Sequence, residues 1–201
     1  MEMLENLVYD ETQYAGEPDY ELIGGEKFFM AAAAPRISHG IIVMRLGTIF
    51  TKYIDEKKLT AFVLGDNADL YLSNDYHFRP DLCVICNPKL IENDKYIDGV
   101  PDLVVEVLSQ STMKRDIGIK KNLYEKHGVK EYWIVDPWSK RIEVYHLINE
   151  RYELDDIYSA CSAEELDKLK DEDKAAIKTD IKVSIFDDLI VDVRDIFKWW
   201  I

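Results

Sequence analysis

Cysteine is scarce. Three in 201 residues are too few for a disulfide framework and fit a reducing compartment. Two of them, Cys83 and Cys86, form a CxxC within DLCVIC, which has the composition of a strand. Side chains three apart on a strand face opposite sides, so a shared metal or disulfide is not expected, and the thiols should pack as small hydrophobes. Long hydrophobic runs are missing too. None approaches the roughly 20 residues of a membrane-spanning helix. The opening MEMLENLVYDE carries acids where a secretory signal needs a basic start and a long apolar stretch. These absences point to a cytoplasmic protein with no membrane partner. There is no internal repeat and no low-complexity linker. A single domain over residues 1–201 is expected, decorated by an acidic helical insertion at about 158–180.

Positive charge is the other deficit. Lys and Arg number 25 against 39 Asp and Glu, a net charge of −14, which argues against general adhesion to nucleic acid. The distribution is uneven. Residues 1–109 hold 9 basic and 19 acidic side chains and residues 150–201 hold 8 and 15, whereas residues 110–141 hold eight basic against four acidic.

What the chain does have is apolar material, 47% of its residues, ample for one core. YELIGGEKFFM, residues 20–30, has the pattern of a hairpin turning at Gly24-Gly25. From Pro35 to about Lys57, Ile42, Val43, Leu46, Ile49, Phe50 and Tyr53 recur on one helical face, and His39 shares it. Strands are expected at 61–64, 69–72, 81–86 and 102–108, then a helix from about Thr112 to His127, capped by Ser111 or Thr112 and stopped by Gly128. Strands at 131–136, 141–148 and 151–157, an acidic helix at 162–176 and a strand at 181–186 follow. The order predicts a mixed α/β fold around a central sheet.

One acid stands out. In PDLVVEVLS, residues 101–109, the apolar residues mark a strand buried on both faces, and Glu106 interrupts them. An unpaired buried carboxylate costs several kcal/mol, so Glu106 needs a partner. Asp102 lies on the same strand side but about 13 Å away, too far to share an ion. Asp81, which opens the apolar strand RPDLCVI, is the candidate from a neighbouring strand. On a helical wheel the 112–127 segment gives an apolar arc of Met113, Ile117, Ile119, Leu123 and Tyr124. Lys120 stands at its centre, with Asp116 and His127 alongside. An inward lysine needs a carboxylate and an inward glutamate needs a cation. Two readings remain open: a buried Glu106–Lys120 ion pair, or a site where two acids hold Mg²⁺ and the lysine acts on a water.

These residues resemble the PD-(D/E)xK phosphodiesterase superfamily and, more closely, the Uma-two family of endonucleases with the restriction-endonuclease fold. The matching text is RPDLCVI (79–85), PDLVVEVLSQST (101–112) and RDIGIKKNLYEKHGVKEYWIVDP (115–137), with YELIGGE (20–26) and SHG (38–40). The resemblance implies a restriction-endonuclease-like core and a nuclease dependent on Mg²⁺ or Mn²⁺, acting on nucleic acid, DNA in the first place, as a homodimer. It implies Asp81 and Glu106 as metal ligands and Lys120 as the catalytic lysine. Leu108 occupies the place, two residues after Glu106, where the plain superfamily pattern has its lysine; the resemblance transfers that role to the following helix. Glu21, His39, Asp102 and Asp116 are accessory candidates. Each has an ordinary alternative: hairpin residue, hydrogen-bonded core histidine, strand-start cap, and positioner of Lys120. The rival to an enzyme is a catalytically silent binding or regulatory module that keeps the fold, which the charge of −14 favours. An enzyme for a small phosphorylated substrate is a third reading.

Overall fold

A computed structural model describes residues 20–29, 36–65, 68–109, 113 and 115–198. Among them the chain forms β1 (Tyr20–Ile23), β2 (Glu26–Phe29), α1 (Ile37–Lys57), β3 (Phe62–Gly65), β4 (Leu70–Ser73), β5 (Tyr76–Phe78) and β6 (Leu82–Ile85). A 3₁₀ turn over Pro88–Ile91, β7 (Ile97–Asp98) and β8 (Leu103–Val107) come next. A π-helical segment, Arg115–Lys120, runs into α2 (Lys121–His127), then β9 (Glu131–Asp136), β10 (Arg141–Ile148) and β11 (Arg151–Ser159). The short helices α3 (Ala163–Asp167) and α4 (Asp171–Ala176), the pair β12 (Asp180–Lys182) and β13 (Ile190–Asp192), and α5 (Val193–Phe197) complete it. No helix among the described residues is long and apolar enough to cross a membrane.

Two larger sheets organise these elements: a mixed six-stranded one ordered β11-β10-β9-β8-β6-β3 and a five-stranded one ordered β2-β1-β5-β4-β7. β8 lies inside the first, antiparallel to β6 and parallel to β9. Its alternation divides the interior. Leu103, Val105 and Val107 join Ile42, Val43, Leu46 and Phe50 of α1 in one core. Val104 joins Tyr124, Tyr132 and, from the five-stranded sheet, Leu70, Leu72, Phe78 and Ile97 in a second core, as does Leu108 just past the strand. Glu106 has the parity of Val104, so strand geometry aims it into the second core. Cys83 packs in the second core and Cys86 against the first, and both are free thiols. Burial pushes the Cys83 thiol up to about 12.

The hairpin turns where expected, with Gly24 and Gly25 at φ 62° and 79°. Successive positive φ angles suit a two-residue hairpin turn and favour glycine. α1 follows its apolar stripe and ends at Lys58 in the left-handed region. α5 packs beside it, where Arg45 Nη1 donates to the Asp195 carbonyl at 2.8 Å.

The segment expected as one α-helix over 112–127 differs in its winding. Residues 115–120 are π-helical and only 121–127 are α-helical, ending at Gly128 with φ 92°. The wider turn moves Ile117 and Ile119 off the buried arc, to 47% and 46% exposure, while Asp116, Lys120 and Tyr124 share the inward face. The Ser111 or Thr112 cap lies outside the described residues. The acidic helix expected at 162–176 is two short ones, broken at Lys168–Lys170. β5, β7, β13 and α5 were not anticipated; each is five residues or fewer, too short for a periodic signal.

Candidate active site

The register Leu82↔Val105 between β6 and β8, continued by one residue, sets Asp81 across from Glu106. Asp81 is held at both oxygens. Its Oδ2 accepts the Val107 backbone N–H at 2.6 Å, and its Oδ1 lies 3.1 Å from His39 Nε2 on α1. It stands at the mouth of the site, its side chain 18% exposed.

Glu106 lies behind it, buried. Its Oε1 accepts from Lys120 Nζ at 3.1 Å and from Tyr124 Oη at 2.9 Å. Lys120 is the hub of the cluster: Nζ also lies 2.8 Å from Glu21 Oε1 and 3.6 Å from Asp116 Oδ1. Glu21 arrives from β1 of the other sheet, so the two sheets meet at this ammonium. The π-turn places Asp116 four residues before Lys120 on the same face, and Tyr132 Oη donates to the Asp116 carbonyl at 3.0 Å, holding that turn against β9.

Acid outweighs base here. Burial first, then the charges of Asp116, Asp81 and Glu21, push the Glu106 carboxyl well above its ordinary value, against the pull of Lys120. Burial alone would lower the Lys120 ammonium; the charges of Glu106, Glu21 and Asp116 outweigh it and raise the pKa, so the side chain stays protonated. Carboxylate oxygens in excess of cations are the donor chemistry of a hard divalent ion. Among the described residues no three His, Cys, Asp or Glu side chains are grouped to enclose a metal by themselves. An ion bound by Asp81 and Glu106 would therefore complete its shell with water and substrate oxygens, which suits Mg²⁺.

Of the residues singled out in the sequence, the fold gathers Asp81, Glu106, Lys120, Glu21, His39 and Asp116. It leaves out Asp102, which caps the far end of β8: Oδ2 accepts the Cys86 N–H at 2.7 Å and Oδ1 accepts from Lys130 Nζ at 2.7 Å. Tyr124, read from the sequence as a core aromatic, is the residue that reasoning missed. Its place one turn after Lys120 on the inward face was the available signal.

The basic segment is drawn partly into internal contacts. Besides Lys120 and Lys130, Lys121 lies 3.4 Å from the Tyr145 ring centroid and Lys126 5.5 Å from that of Tyr76.

A family model described as "Putative restriction endonuclease", Uma2, matches residues 9–173. The chain belongs to the Uma2 family. This Uma2 protein is 31% identical over 150 residues to an uncharacterized protein of Synechocystis sp., covering 71% of this chain and 72% of that one. A crystal structure described as a putative nuclease belonging to DUF820 from Anabaena variabilis superposes with a TM-score of 0.66 at 18% identity, covering 92% of both chains. The Uma2 protein shares the fold of that neighbour, a mixed α/β architecture.

Proposed function

We propose that this protein is a metal-dependent phosphodiester hydrolase, an endonuclease acting on nucleic acid and in the first place on DNA, working in the cytoplasm as a homodimer. The observation that carries the reading is that Asp81 bonds the peptide N–H next to Glu106 while Lys120 bonds Glu106 itself. Two acids from paired strands and one buried cation converge at one end of the sheet. The family description supports the same activity.

In this reading Asp81 and Glu106 hold Mg²⁺ or Mn²⁺ through oxygen. When bound, such an ion neutralises charge developing on phosphate oxygens and lowers the pKa of a coordinated water. Lys120, which carries its ammonium among these carboxylates, would act as a donor that orients the attacking water and stabilises negative charge. The Val107 N–H and His39 fix the Asp81 carboxylate from two sides, Tyr124 fixes Glu106, and Glu21 with Asp116 hold the lysine. Supercoiled plasmid incubated with the protein and Mg²⁺ should be nicked, and Asp81→Asn and Glu106→Gln should each abolish nicking while remaining folded. Nicking that persists in both variants overturns the assignment.

A second reading rests on Lys120 already having three carboxylate neighbours. There the cluster is a structural ion-pair network in a catalytically silent binding module. Calorimetric titration separates the two. Mn²⁺ binding that depends on Glu106 supports the metal site; no such binding leaves the network as structure alone.

A further inference from the structure

The mouth of the site has a second feature that the proposed chemistry does not use. Trp138 lies in the turn between β9 and β10, just beyond the strand whose Ile134 pairs with Glu106, and it is 39% exposed. The turn is rigidly built. Asp136 Oδ1 accepts the Trp138 N–H at 2.9 Å and the Ser139 N–H at 3.3 Å, and its Oδ2 accepts from Ser139 Oγ at 2.5 Å. Arg36, the residue before α1, brings its guanidinium carbon to 5.9 Å from the indole centroid. Arg36 stands one helical turn before His39, which touches Asp81. β8, which carries Glu106, and β9, which leads into the Trp138 turn, run parallel, and antiparallel β6 begins at the same end just after Asp81, so the turn and the acids share one edge of the sheet. An exposed indole on a pinned turn, with an exposed guanidinium beside it, stands on the sheet edge that carries the acidic cluster.

We propose that Arg36 and Trp138 form a platform for one unpaired nucleotide beside Asp81 and Glu106, the base stacked on the Trp138 indole and its phosphate on the Arg36 guanidinium. The inference rests on the nuclease reading and narrows its substrate to single-stranded or locally unpaired nucleic acid. A base inside a duplex has no free face to offer, whereas an unstacked one packs on any aromatic ring. The charge of −14 points the same way. Tracking a duplex needs many phosphate contacts, while stacking needs none.

Fluorescence anisotropy in EDTA, where no metal-dependent cleavage occurs, tests this with labelled oligo(dT) and a blunt duplex of matching length. The wild-type protein should bind the single strand more tightly. Trp138→Ala should weaken that binding by about tenfold, within the range for stacking one base, and Trp138→Phe should keep most of it. Arg36→Gln should reduce the slope of log affinity against log salt by about 0.7, one single-strand phosphate contact; Trp138→Ala should leave the slope unchanged. Equal affinity of Trp138→Ala and wild type, preference for the duplex, or no binding of oligo(dT) overturns the platform. Asp81-dependent cleavage of plasmid or of circular single-stranded DNA, scored separately, keeps the nuclease reading standing in each of those cases. Stacking without Mg²⁺-dependent cleavage of either plasmid or circular single-stranded DNA sinks the nuclease reading and leaves the platform as a nucleotide-binding site.

Discussion

Replacing Lys120 by Met tests the electrostatic logic of the site directly. The two side chains are similar in volume and flexibility, so the change removes charge without opening a large cavity. Nζ lies 2.8, 3.1 and 3.6 Å from carboxylate oxygens of Glu21, Glu106 and Asp116, and all four residues are buried. Taking one partner out of a buried ionic group leaves uncompensated charge and costs about 3–5 kcal/mol, a large part of the roughly 5–15 kcal/mol that holds a typical domain. For a domain of this size each kcal/mol lowers Tm by about 2–4 °C, so the expected drop is about 6–20 °C. The deficit should depend on pH in a definite direction. Without the ammonium, burial and mutual repulsion raise the folded-state carboxyl pKa values above their unfolded values. Such groups destabilise most when ionised, above the raised value, and the penalty fades as they take up protons on acidification. Urea unfolding at pH 8 and pH 5.5 should therefore show a larger gap to wild type at pH 8, and adding Glu106→Gln should recover part of it. A variant within about 1 kcal/mol of wild type at pH 8, below the cost of stranding a buried charge, or a gap independent of pH, would refute the reasoning.

Three further predictions concern groups around that centre. Tyr124→Phe removes the 2.9 Å bond to Glu106 and should lower stability by about 1.5–3 kcal/mol, the value of a hydrogen bond to a charged group, read by urea unfolding. Glu131 is fully buried and accepts from Trp133 Nε1 at 2.7 Å, Ser184 N at 2.7 Å and Ser184 Oγ at 2.5 Å. Glu131→Ala should cost at least about 3 kcal/mol and speed amide exchange at Ser184; slow exchange there would deny that Glu131 anchors the segment. Burial alone would raise the Asp69 carboxyl, but hydrogen bonds from His77 at 2.8 Å and Arg79 at 2.6 Å hold it below the ordinary range. Its stabilising contribution is present above the unfolded carboxylate value of about 3.9 and is lost as pH falls through the lower folded value. Asp69→Asn should thus be less stable at pH 6 and lose less on acidification than wild type, as thermal melts at stepped pH can measure.

Much of the arrangement is legible in the amino-acid sequence. Glu106 was conspicuous because period-two alternation in PDLVVEVLS leaves no exposed face for an acid, and Lys120 because helical periodicity turned it inward. Both are local arguments, and local backbone geometry is what a sequence encodes most directly. The π-turn escaped the same reasoning. A wheel drawn at a single pitch placed Ile117 and Ile119 inside, whereas they are exposed, because tertiary contacts such as Tyr132 to the Asp116 carbonyl select the wider winding.

The amino-acid order by itself determined which groups must find partners, since burying a carboxylate or an ammonium alone is too costly in any fold. Which partners they found was decided only by the tertiary structure. Glu21 reaches Lys120 because a second sheet closes over the first, and Asp102 is excluded because its strand carries it to the far end. Trp138 meets Arg36 because sheet order brings two distant stretches to one rim. Strand pairing and layer packing bring together residues remote in sequence, and no periodicity along the chain records such distances.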